Sequence, residues 1–345
     1  MTAADGGWPQ PAAHGPSLAS ARLRLQPEHF AVEELPNWTP TGDGEHDVVF
    51  VEKRGANTRW VAGALARHAG CHARDVGHAG LKDRHAVTRQ WFSVQRGGRR
   101  IDWDALEVEG VRVIEVHAHR RKLRPGALAG NRFRIVASVE NAGAIDSDVL
   151  EARVAAVRAQ GVPNYFGPQR FGRDGGNLAL ATRLAAGERL GRGDRGFAVS
   201  AARAALFNAV LAARVADASW CVPQAGDALM LTGSNSFFVA GPDESLEALR
   251  DRANRGDLQP TGPLWGDGEP AVADGVAALE SSLAERHPEW VEAAYRARAE
   301  GARRALRVFA SDFEMTPVDV GYALSFTLPA GSFATAVINE FFSVD

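Results

Sequence analysis

Alternating or continuous apolar runs occupy much of the N-terminal part of the chain, as they do in β-strands. They predict strands at 21–25, 30–35, 46–53, 90–95, 111–117 and 131–139, followed by an amphipathic helix at 146–160. Residues 58–69 instead carry Trp60, Leu65 and other residues at helical spacing, between Asn57 as a suitable N-cap and Gly70 as a C-terminal stop. This part of the chain is therefore predicted to be rich in strands.

Helical periodicity dominates the next part of the chain, which begins near Gly161. Helices are predicted at 200–216 and 288–305, short strands at 227–231 and 236–239, and a loop at 260–270, where Gly, Pro and Asp are frequent. The strand pattern returns at 313–315 and 321–328, and Ser332 is predicted to cap a short final helix. This order of segments predicts that a second domain is inserted into the first.

Length and composition are those of a globular protein with two domains. The chain has 345 residues, 45% of them hydrophobic and 23% charged, and its formal net charge is −3. Bulk charge therefore does not indicate a nucleic-acid partner, although a local basic face can bind phosphate. No apolar run approaches the roughly 20 residues of a membrane helix. Residues 1–19, rich in Gly, Pro and Ala, are predicted to be a flexible tail without signal-peptide features.

Cysteine, histidine and glycine patterns give no indication of a disulfide framework, a metal site or a bound nucleotide. Cys71 and Cys221 are far apart in sequence, which is typical of proteins in a reducing compartment. The histidines near Cys71 match no common zinc spacing. The Gly-rich segment 172–176 lacks the Lys-Ser/Thr of a P-loop and does not follow a strand directly. We therefore expect no metal and no cofactor.

Four motifs follow one another along most of the chain. They are GLKDRHAVTRQWFS at 80–93, GALAGNRF at 126–133, GVPNYFGPQRFG at 161–172 and LPAGSFAT at 328–335. A dense basic cluster, 120–124, comes directly before the second motif. In this order the motifs resemble those of the TruD family, the tRNA pseudouridine synthases D. The resemblance runs from about Arg22 to the last residues.

The resemblance implies an α+β fold. A pseudouridine synthase catalytic domain with a mixed, largely antiparallel sheet would comprise 20–157 and 308–345, after the tail at 1–19. An α/β domain particular to the family, the TRUD domain, would be inserted at 158–307. The order of strand-rich and mixed segments agrees with this insertion.

Pseudouridine formation needs a carboxylate at the sugar, because it breaks an N-glycosidic bond, turns the base and forms a C–C bond without redox chemistry. By resemblance, Asp83 is the catalytic aspartate. The sequence leaves open whether its carboxylate attacks C1′ or removes the C2′ proton. Arg24, six positions before Phe30, matches a basic residue of the family and is the expected partner of Asp83. The adjacent Lys82 would point away from Asp83 in an extended segment.

The resemblance also implies which residues hold the flipped uridine. Asn131 and Phe133 match the family's Asn-x-Phe, and strand alternation places both on one face, opposite Arg132 and Arg134. Phenylalanine can stack on a base, and asparagine can bond to its edge or to the sugar. Substrate-binding roles are therefore expected for Phe30, Asn131, Phe133 and Phe333.

Cationic side chains near the first two motifs are expected to contact RNA phosphates, which position RNA without reading its sequence. These residues are Lys82, Arg121, Lys122 and Arg124. The resemblance implies that the partner is tRNA and that the target is a uridine at position 13 in the D arm. We expect a cytoplasmic monomer with no membrane partner. The target base would be flipped out of its stack, which costs roughly a few kcal/mol.

Two other functions stay open on the sequence alone. The chain could be an RNA-binding or RNA-folding protein with a vestigial site, although the intact Lys-Asp motif argues against this. It could be a hydrolase that uses Asp83 with His85, although no second carboxylate is convincingly placed.

Arg170 could line the RNA-binding cleft or belong to a hinge. Asn339 stands where many family members carry the arginine of an Arg-Glu pair, so an RNA or structural contact could differ here.

Overall fold

A computed structural model describes residues 10–241, 244–269 and 271–344. Its internal contacts divide the chain into two compact units. The first, called the sheet unit, contains 18–150, 310–331 and 342–344. The second, called the helical unit, contains the described residues within 10–17, 151–309 and 332–341.

The strands and the α-helices are numbered separately, each in chain order. The strands are β1 (Ala19–Arg22), β2 (Phe30–Leu35), β3 (His46–Arg54), β4 (Gly77–His78), β5 (Val87–Gln95), β6 (Val111–His119), β7 (Gly130–Val139), β8 (Val162–Pro163), β9 (Ala228–Leu231), β10 (Phe237–Val239), β11 (Leu258–Leu264), β12 (Ala302–Ala305), β13 (Arg307–Val308), β14 (Ser311–Val318), β15 (Gly321–Pro329) and β16 (Phe342–Val344). The α-helices are α1 (Thr58–Ala69), α2 (Ser147–Gln160), α3 (Gly176–Ala185), α4 (Arg192–Ala216), α5 (Leu246–Asn254), α6 (Asp274–Glu285), α7 (Pro288–Arg296) and α8 (Ala334–Ile338). Short 3₁₀ helices occupy Pro27–His29, Ala73–Asp75, Ala142–Ala144, Pro168–Phe171 and Arg173–Gly175.

The sheet unit is built on one ten-stranded sheet with the main order β14-β15-β7-β2-β5-β3-β6. Strand β4 pairs with β5, and β1 pairs with both β7 and β16. Among the described strands of this sheet, β2 with β5 and β1 with β16 run parallel, and the other pairs are antiparallel. The predicted α+β fold with a mixed, largely antiparallel sheet is therefore confirmed.

Register in the middle of this sheet fixes which side chains share a face. Strand β7 lies between β2 and β15, with Phe133 opposite both Val32 and Phe326. Phe133 and Ile135 are buried, whereas Arg132 and Arg134 are exposed. The alternation predicted for this strand is thus the observed one.

Helix α1 follows its sequence signals closely. Asn57 Oδ1 accepts a hydrogen bond from Trp60 N at 2.8 Å, and Gly70 ends the helix with φ +64°. Val61 and Leu65 are fully buried in a cluster with residues of β3 and β5. Trp60 does not belong to this stripe, since 46% of its surface is exposed. The prediction that Trp60 begins the apolar face of this helix was therefore wrong, because the buried face begins one position later, at Val61.

The first strand differs from its prediction. Strand β1 covers Ala19–Arg22, not 21–25, and Arg24 has a left-handed φ of +60°. Because of this turn, Arg22 and Arg24 do not continue along one face of a strand. Arg22 forms an exposed ion pair with Glu140 at 2.9 Å, and Arg24 reaches a different partner.

The core of the helical unit surrounds α4, which packs with α3, α7 and β11. This helix has the length and apolar composition of a membrane span, but 67% of its most hydrophobic window is buried inside the protein. That burial is typical of a core helix. The strands of this unit form a four-stranded antiparallel sheet, β10-β9-β11-β12, and a separate pair, β13-β8.

Three predictions for the C-terminal half were wrong. The expected loop at 260–270 begins instead with strand β11, whose first part pairs with β9 and whose second part pairs with β12. The helix expected at 288–305 ends at Arg296, and its last residues form β12, an edge strand that lies against β11. Phe333, not Ser332, occupies the N-cap position of α8, and it makes no side-chain cap bond. At β11 and β12, pairing between strands outweighed the local composition.

The domain boundaries proposed from sequence remain a prediction. Contacts divide the described chain near 150 and 309, and they also assign 10–17 and 332–341 to the helical unit. The tail predicted at 1–19 lies in part outside the described residues. Within its described part, the backbone N–H groups of Ala13 and His14 donate to the Glu340 carboxylate at 3.0–3.1 Å.

Candidate active site

The loop that carries Asp83 in the sheet unit is held by buried polar side chains. Gln90 on β5 donates from Nε2 to Gly80 O at 3.2 Å. Thr58, the first residue of α1, accepts from Lys82 N at 2.9 Å and donates to Gln90 Oε1 at 2.8 Å. Thr58 and Gln90 are both buried. The loop is therefore fixed through its backbone groups, and the side chain of Asp83 stays available.

Lys53, near the end of β3, supplies the third support of this loop. Its Nζ donates to Asp83 O at 2.8 Å, to Ala56 O at 2.6 Å and to Lys82 O at 3.5 Å. Lys53 has no exposed surface. Burial, and to a lesser extent the charge of Lys82, lowers the pKa of Lys53 to about 8, against the opposing attraction of Asp83.

Asp83 is brought together with Arg24 and Phe30. Arg24 Nη2 donates to Asp83 Oδ2 at 2.8 Å, with 37% and 38% of the two side chains exposed. The Arg24 guanidinium carbon lies 4.0 Å from the centroid of the Phe30 ring, which is a cation–π contact. No described residue donates to Asp83 Oδ1. One carboxylate oxygen is thus oriented by Arg24 and the other is free for a substrate.

Lys82 is placed differently from its predicted role. Its Nζ contacts Glu34 Oε2 at 2.9 Å, and only 8% of the Lys82 side chain and 1% of the Glu34 side chain are exposed. As expected, Lys82 points away from the Asp83 carboxylate. However, an ammonium that is buried against Glu34 is not presented to RNA phosphates, so the phosphate-contact role predicted for Lys82 is revised.

Asn131 and Phe133 lie on the same face of the sheet as Phe30, Val32 and Glu34, as the β2–β7 register shows. Asn131 is partly exposed, but its Oδ1 is buried and has no hydrogen-bond partner among the described residues. A buried acceptor without a partner costs about 1–3 kcal/mol, and a ligand donor would remove that cost. Phe133 is stacked on Phe326 with ring centroids 5.4 Å apart.

The glycine before Asn131 has a steric cause. A Cβ atom at Gly130 would lie 2.3 Å from the backbone oxygen of Leu328 on β15. Only glycine allows the start of β7 to approach β15 this closely. The Gly-Asn-x-Phe pattern therefore combines a packing requirement with the placement of Asn131.

Phe333 belongs to the helical unit, where it contacts the third motif. Its ring centroid lies 5.7 Å from that of Phe166, and the Arg170 guanidinium carbon lies 5.7 Å from the Phe333 centroid. A Cβ atom at Gly167 would lie 2.7 Å from Thr335 Oγ1 and 3.0 Å from Phe333. The third motif thus packs around Phe333, which gives Arg170 and Phe166 a structural role beside it.

Asn339, where the chain differs from the family's Arg-Glu pair, is followed by Glu340, whose contacts are with Arg153 and the N-terminal segment. Arg153 on α2 donates from Nη1 to the backbone oxygen of Glu340, and its charge also acts on the Glu340 carboxylate. The Glu340 carboxylate itself accepts backbone N–H groups of the N-terminal segment. In this chain, a cation from α2 therefore lies beside Glu340.

The basic cluster at the end of β6 divides into exposed and paired members. Arg121, Lys122 and Arg124 are exposed, and the Lys122 ammonium donates to the backbone oxygen of Arg74. Arg120 instead forms a two-pronged ion pair with Asp43, with N···O distances of 2.9 and 2.7 Å. Three of the four cations are thus available to an anionic partner.

The sheet face that is opposite to Asn131 and Glu34 carries charged side chains that pair with one another. Arg112, Glu52, Arg89, Glu33 and Arg132 form a chain of ion pairs with N···O distances of 2.8–3.4 Å. Glu33, Arg89 and Arg132 of this chain line a cavity of about 450 Å³. Because these charges are paired with one another, they leave little net charge for a ligand.

Sequence reasoning missed the supporting residues Glu34, Lys53, Thr58 and Gln90. A signal for three of them exists, because Glu34, Lys53 and Gln90 are polar residues at inward positions of strands. Buried polar side chains require partners, so such positions mark a network. Among the described residues, no group of three or more His, Cys, Asp and Glu side chains is placed to hold a metal ion.

Over nearly its whole length, the chain is similar to proteins of one family. The family model tRNA pseudouridine synthase D (TruD) matches residues 17–188 and 195–341. A tRNA pseudouridine synthase D from Methylococcus capsulatus is 47% identical over 340 residues, which cover 97% of this chain and 94% of the relative. The protein of the same name from Nitrosococcus oceani is 45% identical over 332 residues, covering 94% of this chain and 91% of the relative.

A solved structure supports the fold independently. The crystal structure of a TruD protein from Methanosarcina mazei superimposes with a TM-score of 0.78, covering 96% of this chain and 95% of that one. Sequence identity between the two chains is 20%, so this similarity concerns the fold.

Proposed function

The chain belongs to the tRNA pseudouridine synthase D family, and from this premise we propose that Asp83 is the catalytic carboxylate that converts uridine 13 in the D arm of tRNA to pseudouridine. Family membership makes the chain a tRNA pseudouridine synthase, an isomerase. The target position and the residue roles are the parts that we add. We also propose that it acts as a cytoplasmic monomer without a metal or other cofactor.

The observation that carries this proposal is the setting of Asp83. Buried Lys53 holds its backbone oxygen and buried Thr58 holds the N–H of the preceding Lys82, while the Asp83 carboxylate is half-exposed and paired with Arg24. A catalytic group needs such a fixed position together with access to the substrate. A surface aspartate that served only solubility would need no buried support.

The reaction breaks the N1–C1′ bond of uridine, turns the released uracil and joins its C5 to C1′. The C5 proton is lost and N1 gains a proton, so atoms and electrons balance without a co-reactant. Asp83 Oδ1 is the free oxygen that would act at the sugar, either by attack on C1′ or by removal of the C2′ proton. Both routes need the ionised carboxylate that Arg24 orients.

Phe30, Asn131 and Phe133 would hold the base between the two steps. Phe30 lies against Arg24, which places an aromatic face next to the ion pair of Asp83. Asn131 Oδ1 would accept a hydrogen bond from the base or the ribose and thereby gain the partner that it lacks. Phe333 is also proposed to contact the base. Stacking on an aromatic ring contributes about 1–3 kcal/mol per base, which offsets the cost of flipping.

Arg121, Lys122 and Arg124 would bind the phosphates of the tRNA. They are exposed in the same unit as Asp83. Their contacts would hold the tRNA in register without specifying the modified position.

The proposal is tested by mapping pseudouridine at nucleotide resolution in unmodified tRNA transcripts incubated with pure protein and EDTA. We expect one new pseudouridine, at position 13, and a loss of at least about 10³-fold in kcat for Asp83→Asn. Asp104→Asn, which removes an exposed carboxylate in the same unit, is the matched control and should keep wild-type activity.

Other outcomes would assign the protein differently. Pseudouridine at another position would overturn the D-arm assignment, and an active Asp83→Asn variant would remove Asp83 from the mechanism. RNA binding without pseudouridine would favour the RNA-binding function, and release of free uracil would favour a hydrolase.

A further inference from the structure

Lys53 is a buried cation whose charge no carboxylate neutralises directly. Among the described residues, none of its hydrogen bonds goes to Asp or Glu, and its three acceptors are backbone oxygens. A buried charge without an ion-pair partner is costly. Holding backbone oxygens by itself does not require a charge, since a neutral donor also satisfies them. The ammonium therefore calls for a role that uses its charge.

Asp83 is the group that can use this charge. Lys53 Nζ lies 2.8 Å from the backbone oxygen of Asp83, and the Asp83 charge acts on Lys53 in return. Lys82, the other charged neighbour, is already neutralised by Glu34 on β2. Among the described residues, Asp83 and Lys82 are the charged groups that act on Lys53, and Thr88 on β5 and Val111 on β6, which lie opposite it in the sheet, are uncharged.

We propose that Lys53 is a positioning residue for catalysis: its ammonium holds the peptide groups of Lys82 and Asp83 and places a positive charge close to the Asp83 carboxylate. Arg24 orients the same carboxylate through a bond to Oδ2. The inference rests on the proposed role of Asp83, and it assigns to Lys53 a contribution to turnover beyond its contribution to folding.

The effect of pH on turnover and on stability distinguishes the contribution of Lys53 to catalysis from its contribution to folding. The pKa of Lys53 is about 8 in the folded protein and 10.5 for the ordinary side chain. Between these values the unfolded chain binds more protons at Lys53, so this group makes the folded state more stable as pH rises. Turnover should instead decrease as pH rises through about 8, because the neutral amine has lost its charge and one donor. A merely structural Lys53 would not make activity and stability change in opposite directions.

The test measures kcat, KM and the free energy of unfolding from pH 6.5 to 9.5 for the wild type, Lys53→Met and Arg54→Met. Arg54 is the matched control, since it is the next residue of β3 and forms an exposed ion pair with Glu28. We expect Lys53→Met to lower kcat about ten- to hundred-fold with KM nearly unchanged, and to lose the decrease of kcat above pH 8. Arg54→Met should behave as the wild type.

Hydrogen exchange of the amides in 80–86 keeps the test independent of turnover and of the folding of the variant. In the wild type, exchange corrected for intrinsic base catalysis should rise as pH passes about 8, because the neutral amine, which stays buried when only the loop opens, has one donor fewer for the backbone oxygens of Lys82 and Asp83. If wild-type protein forms no pseudouridine, the proposed function fails. The hydrogen-exchange measurement still decides whether Lys53 holds the loop. A flat pH profile of kcat, or Lys53→Met with reduced stability but wild-type kcat, would overturn the proposal, and so would unchanged exchange.

Discussion

Buried charge is used differently in the two units of this protein. In the helical unit, Arg214 forms a two-pronged ion pair with Asp227 at 2.9 and 3.0 Å, and both side chains are essentially unexposed. Arg303 pairs with Glu280 in the same way at 2.7 and 2.8 Å. These pairs join α4 to the loop before β9, and β12 to α6, and each cation has its carboxylate.

In the sheet unit, the buried charges of Glu34, Lys53 and Lys82 lie at a single loop, and Lys53 is less completely paired than the two arginines above. Within the described residues Lys53 has backbone acceptors only, and the Arg24–Asp83 pair is partly open to solvent. The comparison shows that buried charge alone does not indicate a site. A cation that is bound on all sides by its own fold stabilises that fold, whereas one with incomplete pairing beside an accessible carboxylate points to chemistry.

Removing one partner of the Arg214–Asp227 ion pair should have the largest effect on stability. Arg214→Met would leave the Asp227 carboxylate buried and uncompensated, and we expect a loss of about 3–5 kcal/mol in the free energy of unfolding. Urea unfolding measures the loss. The double variant Arg214→Met/Asp227→Leu should recover most of it, and kcat of the folded fraction should not change. A double variant as unstable as the single one would contradict this account.

Breaking the ion pair of Lys82 and Glu34 should cost nearly as much stability and leave the electrostatics of tRNA binding unchanged. Lys82→Met would strand buried Glu34, so we expect a loss of about 3 kcal/mol in the free energy of unfolding. Because the Lys82 ammonium is not exposed, the salt dependence of tRNA binding by the folded protein should stay the same. A flatter salt dependence in Lys82→Met would restore the phosphate-contact role that we revised.

Neutralising exposed cations should affect binding and leave stability within about 0.5 kcal/mol. Changing Arg121, Lys122 and Arg124 to glutamine should flatten the plot of log K against log salt by about 0.7–0.9 for each phosphate that is no longer neutralised. Arg120→Gln is the control, because Asp43 already neutralises Arg120. If the triple variant keeps the wild-type slope, the cluster does not face the RNA.

The smallest expected effect concerns the pH dependence of the helical unit. Burial raises the pKa of Glu280 above its usual value of 4.5, although Arg303 opposes the shift. A raised folded pKa means that this group contributes stability below pH 4.5, and that this contribution is lost as pH rises through the folded value. Glu280→Gln leaves buried Arg303 without its carboxylate and so lowers stability at every pH, but it should also remove a part of the stability decrease expected between pH 4.5 and 7. Unfolding curves at both pH values measure it, and an unchanged difference would show that Glu280 titrates normally.

Local patterns in the sequence were sufficient where a segment's own residues satisfy its structure. Helix α1 begins and ends at its signals, Asn57 and Gly70, because capping depends on the nearest backbone groups. The alternation in 131–139 was equally reliable, since a strand with one buried face has period two. The same patterns failed at β11 and β12, where pairing with neighbouring strands determined the structure of Pro-rich and helix-like segments.

The sequence by itself determined the family, the order of the motifs and the identity of the candidate residues. Motif order is a property of the chain, and it pointed to Asp83, Arg24 and Asn131 without any coordinates. Only the tertiary structure decided which of these meet and what supports them. Arg24 reaches Asp83 across 59 positions of sequence, and Lys53 reaches it across 30. Such contacts depend on strand register and on a left-handed turn at Arg24, which no local pattern specifies, because register is set by packing across the whole sheet.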